Sequence, residues 1–274
     1  MPGHENDPAT RVGRDPAMIL GPSQARADHP LAAIAEEVAR ALTFARVRGR
    51  SAWVGTGVHY PNGTAVMIRI DQDPDGFFVT DDGQGAFAAE TMGGSQQYAK
   101  AASQVAKRSG VQFDQRCLFS VHVPRNRLPG AVATVANASS RAVERAIYML
   151  DRFRLERSKD VFGQRLRAAF GEDVRFGVSV HGATGRPYEF DAAVEGAGGV
   201  RRALFEFVSP SFTAVAAANL KIGDARALAD TPPIVVALAD YDRTDESLRS
   251  ILSGAANLVI PANDIPANYR MIAA

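Results

Sequence analysis

Apolar positions along the chain change period several times, and each change marks an element. Ile34, Val38, Leu42 and Ala45 recur at helical spacing after Asp28 and Pro30, which predicts a helix over about 31–46. At residue 51 the period drops to two. Strands are expected at 51–60, 64–71 and 77–81, joined by turns at Asn62-Gly63 and Asp75-Gly76. Helical stretches follow at about 84–92 and 95–109, split by Gly93-Gly94, then strands near 111–113 and 117–123. Residues 125–140, RNRLPGAVATVANASS, read as a loop with weak helical character.

The second half opens with a helical pattern from Ser140 to Phe170, with a candidate break near Lys159. Val143, Ile147, Leu150, Phe153, Val161, Leu166 and Phe170 form its apolar face. Next come a strand at 174–181, strands at 187–195 and 200–208, and a helix from Pro210-Ser211 to about Ile222. A buried strand at 233–240, a helix at 244–253 stopping at Gly254 and a short strand at 257–260 complete the order. The fold class expected is α+β (mixed α/β): an N-terminal antiparallel meander with helices and a C-terminal αβββαβ core. The domains expected are a flexible arm at 1–30, an N-terminal α+β domain at 31–138 and a second domain at 139–274.

One hairpin carries candidate chemistry. In RPYEFDAAVEGAGGVRRALFEFVS, residues 186–209, a two-residue Gly198-Gly199 turn sets Glu195 across from Arg202 and Asp191 across from Glu206. Tyr188, Phe190, Ala192, Val194, Ala203, Phe205 and Phe207 then share an apolar face, with Glu189, Asp191, Glu195, Arg202 and Glu206 on the other. Directly opposed like charges destabilise a sheet unless a cation lies between them, and a divalent metal suits two carboxylates. A solvated sheet face is the plainer alternative, and a one-residue slip would separate the acids.

Composition narrows the setting. The chain has 274 residues, 46% apolar and 22% charged, enough to bury a real core. No apolar run reaches the roughly 18 residues of a membrane span, and the first thirty residues lack a signal-peptide core. With one cysteine, Cys117, neither an intramolecular disulfide nor a multi-cysteine zinc site can form. A cytoplasmic protein is expected. Net charge is +1, below the basic excess of a dedicated DNA binder. Positive charge gathers in 141–167 (Arg141, Arg145, Arg152, Arg154, Arg157, Lys159, Arg165, Arg167), which suits either phosphates or a solvated helix face. The five histidines show no helical metal spacing, and no P-loop, dinucleotide fingerprint or Gly-x-Ser-x-Gly elbow is present.

The order of elements, with an acid on each hairpin strand, resembles the core of the PD-(D/E)XK nuclease-like superfamily over about 144–260. The resemblance implies that Asp191 and Glu206 hold Mg²⁺. It also implies a lysine two residues past the glutamate, but Val208 stands there. Some members recruit a lysine from a neighbouring helix. Lys221 is the candidate, about ten residues beyond the strand or roughly 15 Å of helix; a surface lysine at a helix C-terminus is its ordinary reading. The first half resembles a bacterial and phage domain of unknown function whose hallmark is a strand ending Thr-Asp-Asp-Gly, here Thr80-Asp81-Asp82-Gly83. There the short acids are expected to cap free N–H groups, with Asp82 as the residue to test.

Two functions follow as expectations. One is a nucleic-acid-associated or regulatory protein of phage, mobile-element or defence type, with a catalytically impaired nuclease-like domain and a partner that is nucleic acid or a bacterial or phage protein. The other is an active Mg²⁺-dependent nuclease using Asp191, Glu206 and a migrated Lys221.

Overall fold

The computed structural model describes residues 30–272; the expected arm lies outside them except for Pro30. The protein is mixed α+β, and its described residues divide into two compact units, 30–88 with Ala102–Val143 and Ala89–Ala101 with 144–272.

The first stretch runs α1 (Pro30–Leu42), β1 (Phe44–Arg48), β2 (Ser51–His59), β3 (Ala65–Asp73), β4 (Gly76–Thr80), α2 (Gln84–Thr91), α3 (Ser95–Ser109), β5 (Gln112–Asp114) and β6 (Cys117–Val123). The strands form one antiparallel sheet in the order β1-β2-β3-β4-β6-β5. Strand β1 corrects the helix expected to reach 46. The Thr43 hydroxyl donates back to the Ala39 carbonyl, ending α1. Gly49, at φ 62°, then turns the chain so that Phe44–Arg48 pairs with Ser51–Gly55.

A second correction concerns 125–140. That segment enters α4 (Leu128–Phe170), 43 residues long and unbroken at Lys159. Pro129 lies in the first turn, where its missing N–H has no helical partner to lose. The buried positions Val135, Ala136, Ser139, Ala142, Val143 and Ala146 keep the helical period through the supposed loop.

Beyond α4 come β7 (Val174–His181), β8 (Pro187–Glu195), β9 (Arg201–Val208), α5 (Phe212–Arg226), β10 (Ile234–Leu238), α6 (Glu246–Ala255), β11 (Leu258–Pro261) and α7 (Pro266–Ile272). The αβββαβ order is therefore present. Helix α6 runs through Gly254, and α7 is an element the apolar pattern did not mark. The sheet order is β11-β10-β9-β8-β7, antiparallel from β7 to β9 and parallel from β9 to β11.

Two cores flank this sheet. Phe162 and Leu166 of α4 and Tyr269 of α7 pack against Ala192, Val194, Phe205, Val235 and Ala237. On the other side Val215, Ala218 and Ile222 of α5 and Leu252 of α6 pack against Ala193, Leu204, Val208, Val236 and Leu238. Phe190 joins this second core rather than the face of Ala192 and Val194. Strict alternation is therefore broken at Asp191, opposite the stretch where Gly177 adopts φ 65° between Phe176 and Val178.

Candidate functional site

The hairpin turn is longer than the two-residue loop expected. Residues 196–200 form it: the Gly196 N–H donates to the Val200 carbonyl, and Gly198 and Gly199 both take positive φ. Glu195 pairs with Arg201 rather than Arg202, and its carboxylate lies 3.5 Å from Arg175. A bulge beyond Glu195 absorbs the extra residue, so Val194 pairs with Ala203 and Ala192 with Phe205. The next positions along the two strands are Asp191 and Glu206.

At those positions each carboxylate replaces a backbone partner of the opposite strand. Asp191 Oδ2 accepts the Phe207 N–H at 2.8 Å. Glu206 accepts the backbone N–H of Asp191. Both acids are thereby fixed side by side where the ladder opens.

Two lysines complete the cluster. Lys221 Nζ lies 2.5 Å from Glu206 Oε2, with both side chains 14% exposed. It also donates to the Glu189 carbonyl and sits 4.3 Å from the Phe190 ring centroid. Its distance along α5 is what brings it there. The helix packs back over β9, so about nine residues at ~1.5 Å of rise return Lys221 to a level some three strand residues, or ~10 Å, below Ser209. The surface-lysine reading of Lys221 is therefore corrected: it is well buried and lies inside α5, not at its end. From the other layer, Lys159 Nζ lies 2.6 Å from Asp191 Oδ1.

Electrostatics follow from this placement. Burial pushes the Glu206 carboxyl above the usual carboxylate range, while the charge and hydrogen bond of Lys221 oppose the rise only in part. The hydrogen bond to Asp191 holds the Lys159 ammonium above its usual value. Chemically, the cluster offers two carboxylates beside two ammonium groups, one deep and one 58% exposed.

Hard oxygen donors suit Mg²⁺, which is commonly held by one or two carboxylates together with waters and substrate phosphates. Asp191 and Glu206 each commit an oxygen to a lysine, a contact that a divalent cation could exchange for its own. No group of three or more His, Cys, Asp or Glu side chains able to hold a metal occurs among the described residues. Among the described residues the cluster therefore offers a cation at most two carboxylates, not an all-protein cage.

A cavity of about 550 Å³ opens in the same unit, lined by Tyr148, Arg152, Arg154, Ser209, Ser211 and Arg243 among others. It lies just past the C-terminal end of β9, and its α4 wall ends one turn before Lys159.

The Thr-Asp-Asp-Gly turn differs in kind. Asp81 is fully buried. Its Oδ1 accepts the Leu118 N–H at 2.8 Å and the Gly83 N–H at 3.2 Å, and its Oδ2 accepts the Ser139 hydroxyl at 2.6 Å. Tyr60 Oη joins this chain 2.8 Å from Ser139 Oγ. Burial pushes the Asp81 carboxyl up against these donors. Asp82 instead points outward, at φ 52°, and pairs with Arg69 at 2.5 Å. The expected capping is present and falls to Asp81, so Asp81 rather than Asp82 is the residue whose substitution tests it. Cys117 is free and half-buried.

No described helix is long and apolar enough to cross a membrane. No family model matches the chain, nor does any curated protein or solved structure. The reading of the site accordingly rests on its own residues.

Proposed function

We propose that the second unit is a nuclease-like domain that hydrolyses phosphodiester bonds in nucleic acid with the help of Mg²⁺. The observation that carries this reading is Lys221 at 2.5 Å from Glu206, supplied by the helix after the hairpin where Val208 leaves no lysine on the strand. Asp191 and Glu206 would hold the metal, which would supply Lewis-acid charge to the reacting phosphate. Lys221, anchored by the Glu189 carbonyl and the Phe190 ring, offers N–H donors and positive charge to a water or a phosphate oxygen. Lys159 is exposed enough to leave Asp191 and meet substrate. Arg152, Arg154 and Arg243 line the neighbouring cavity with Asp151 and Asp240; each pairs with an acid at an exposed position and would have to exchange it for a flanking phosphate. Labelled single- and double-stranded DNA and RNA, incubated with Mg²⁺ or Mn²⁺, test it. Cleavage should be lost in Asp191→Asn, Glu206→Gln and Lys221→Ala. Cleavage indifferent to all three would remove this cluster from the reaction.

A second reading has its own support. Lys159 and Lys221 already neutralise both carboxylates, so the four groups can serve as a charge lock in a non-catalytic regulator. On that reading Mg²⁺ binds no better to the wild type than to Asp191→Asn, and no substrate is cut.

A further inference from the structure

Among the described residues, helix α1 leaves about half of its apolar stripe exposed. Leu31, Ile34, Val38 and Leu42 are 61, 55, 50 and 57% exposed, and Phe44, the first residue of β1, is 47% exposed. An isolated helix of 13 residues is marginal in water and depends on tertiary packing of its apolar face. The Phe44 ring lies over Gly55 of β2, and Leu42 approaches Gly57 two residues along, so Leu42 and Phe44 extend one surface from helix to sheet.

We propose that this surface is covered by the same surface of a second copy of the chain, with the two α1 helices packed antiparallel about a two-fold axis. Three features identify the occupant. First, the stripe reads nearly the same in both directions, with Leu at each end and β-branched Ile34 and Val38 between. Leu31 of one copy then meets Leu42 of the other, and Ile34 meets Val38, as a self-complementary interface requires. Second, Ala35 and Ala41 flank the stripe, Glu36 and Arg40 lie on the far side of the helix, where they pair at 2.9 Å, and Glu37 sits at the side beyond Ala41. Two copies therefore meet with no charged side chain in the stripe itself. Third, the exposed parts of the five residues amount to on the order of 500 Å² per copy, so covering them fully would remove at most about 1,000 Å² in all, the lower limit of a specific interface. A lipid surface fits less well, because the polar face carries two acids and one base rather than the Lys- and Arg-rich face that anionic membranes recruit.

Sedimentation equilibrium of the full chain across the micromolar range tests the proposal. The wild type should be a dimer and Ile34→Glu/Val38→Glu a monomer. The variant should still unfold in one cooperative transition, with far-UV circular dichroism reduced by no more than the 13 residues of α1 and a midpoint that no longer depends on concentration, which separates lost association from lost folding. In a Cys117→Ser background, Val38→Cys near the two-fold axis should oxidise to a covalent dimer, and Glu36→Cys on the back of the helix should not. A monomeric wild type, a dimer that survives the double substitution, or equal cross-linking at 36 and 38 would each overturn it.

Discussion

Two regions hold buried acids in opposite ways. At the Thr-Asp-Asp-Gly turn, Asp81 is sealed off and satisfied by neutral donors: the backbone N–H groups of Leu118, Gly83 and Gly85 and a serine hydroxyl, with Tyr60 behind it. At the hairpin, Asp191 and Glu206 spend one oxygen each on a backbone N–H and the other on a lysine. Neutral donors fixed in the backbone tie β4 to β6 and have nothing to exchange. Ammonium groups on long side chains can move and give way to a metal or a phosphate. An acid held by fixed, neutral donors reads as architecture, whereas acids held by lysines at an opening can exchange their partners.

The largest test of that contrast is Asp81→Ala. It strands the Leu118 and Gly83 N–H groups and the Ser139 hydroxyl in a buried site, at about 1–3 kcal/mol for each unsatisfied group. Urea unfolding should show the first unit destabilised by about 4 kcal/mol. Asp81→Asn should lose much less, since its carbonyl can still accept the two N–H groups. A loss below about 1 kcal/mol for Asp81→Ala would place this turn outside the architecture.

Next in size, on the proposed nuclease reading, is the effect of Lys221→Ala on cleavage. Removal of a positioned electrostatic stabiliser lowers rate by about 10²–10³-fold. Stability should fall little by comparison, because Glu206 can shed its charge by protonation. Val208→Lys in the same background should restore part of the rate by returning a lysine to the strand. Equal activity in wild type and Lys221→Ala would favour the charge lock.

The hairpin's legibility in the sequence was uneven for physical reasons. The pairing of Ala192 with Phe205 follows from alternation, and it survived a wrong turn because the bulge beyond Glu195 restored the register. The face of Phe190 did not follow, since a break in alternation at Asp191 depends on Gly177 of the neighbouring strand. Lys159 was missed as a site residue, although it stands on the α4 stripe of Leu155, Phe162 and Leu166. Lys221 stands likewise beside Ala218, Ile222 and Ala225 on α5. A lysine on an apolar helical stripe is the signal that marks both. Strand β1 was hidden because Ala45 extends the helical spacing of α1 by one turn, and only the pairing with β2 overrides it.

A smaller effect sharpens the same comparison through pH. Burial raises the Glu206 carboxyl in the folded protein, so the fold favours its protonated form. The stability it contributes is present at low pH and lost as pH rises through the folded value. Lys221 opposes the rise, so Lys221→Met should move the Glu206 titration higher still, as followed by carbon NMR of the labelled carboxyl. Asp81 is raised without a cationic partner, so the same substitution should leave its titration unchanged. A downward move of Glu206 in Lys221→Met would contradict the pairing.

The smallest effect belongs to Asp82, the neighbour that the Thr-Asp-Asp-Gly pattern makes look equivalent to Asp81. Its salt bridge to Arg69 joins side chains 37 and 29% exposed, and surface pairs of this kind contribute about 0–1 kcal/mol. Its backbone at φ 52° adds a second term, because the left-handed region disfavours most side chains by roughly 1–2 kcal/mol and spares Asn, Asp and Gly. Asp82→Ala should therefore destabilise the first unit by about 1–3 kcal/mol through both terms, below the Asp81→Ala loss. Asp82→Asn loses only the charge and should stay within about 0.5 kcal/mol of the wild type. Asp82→Gly removes the same ion pair but relaxes the backbone, so it should be more stable than the alanine variant. Were alanine and glycine equally destabilising, the ion pair alone would account for Asp82. Were either change as damaging as Asp81→Ala, the two aspartates would share the architectural role.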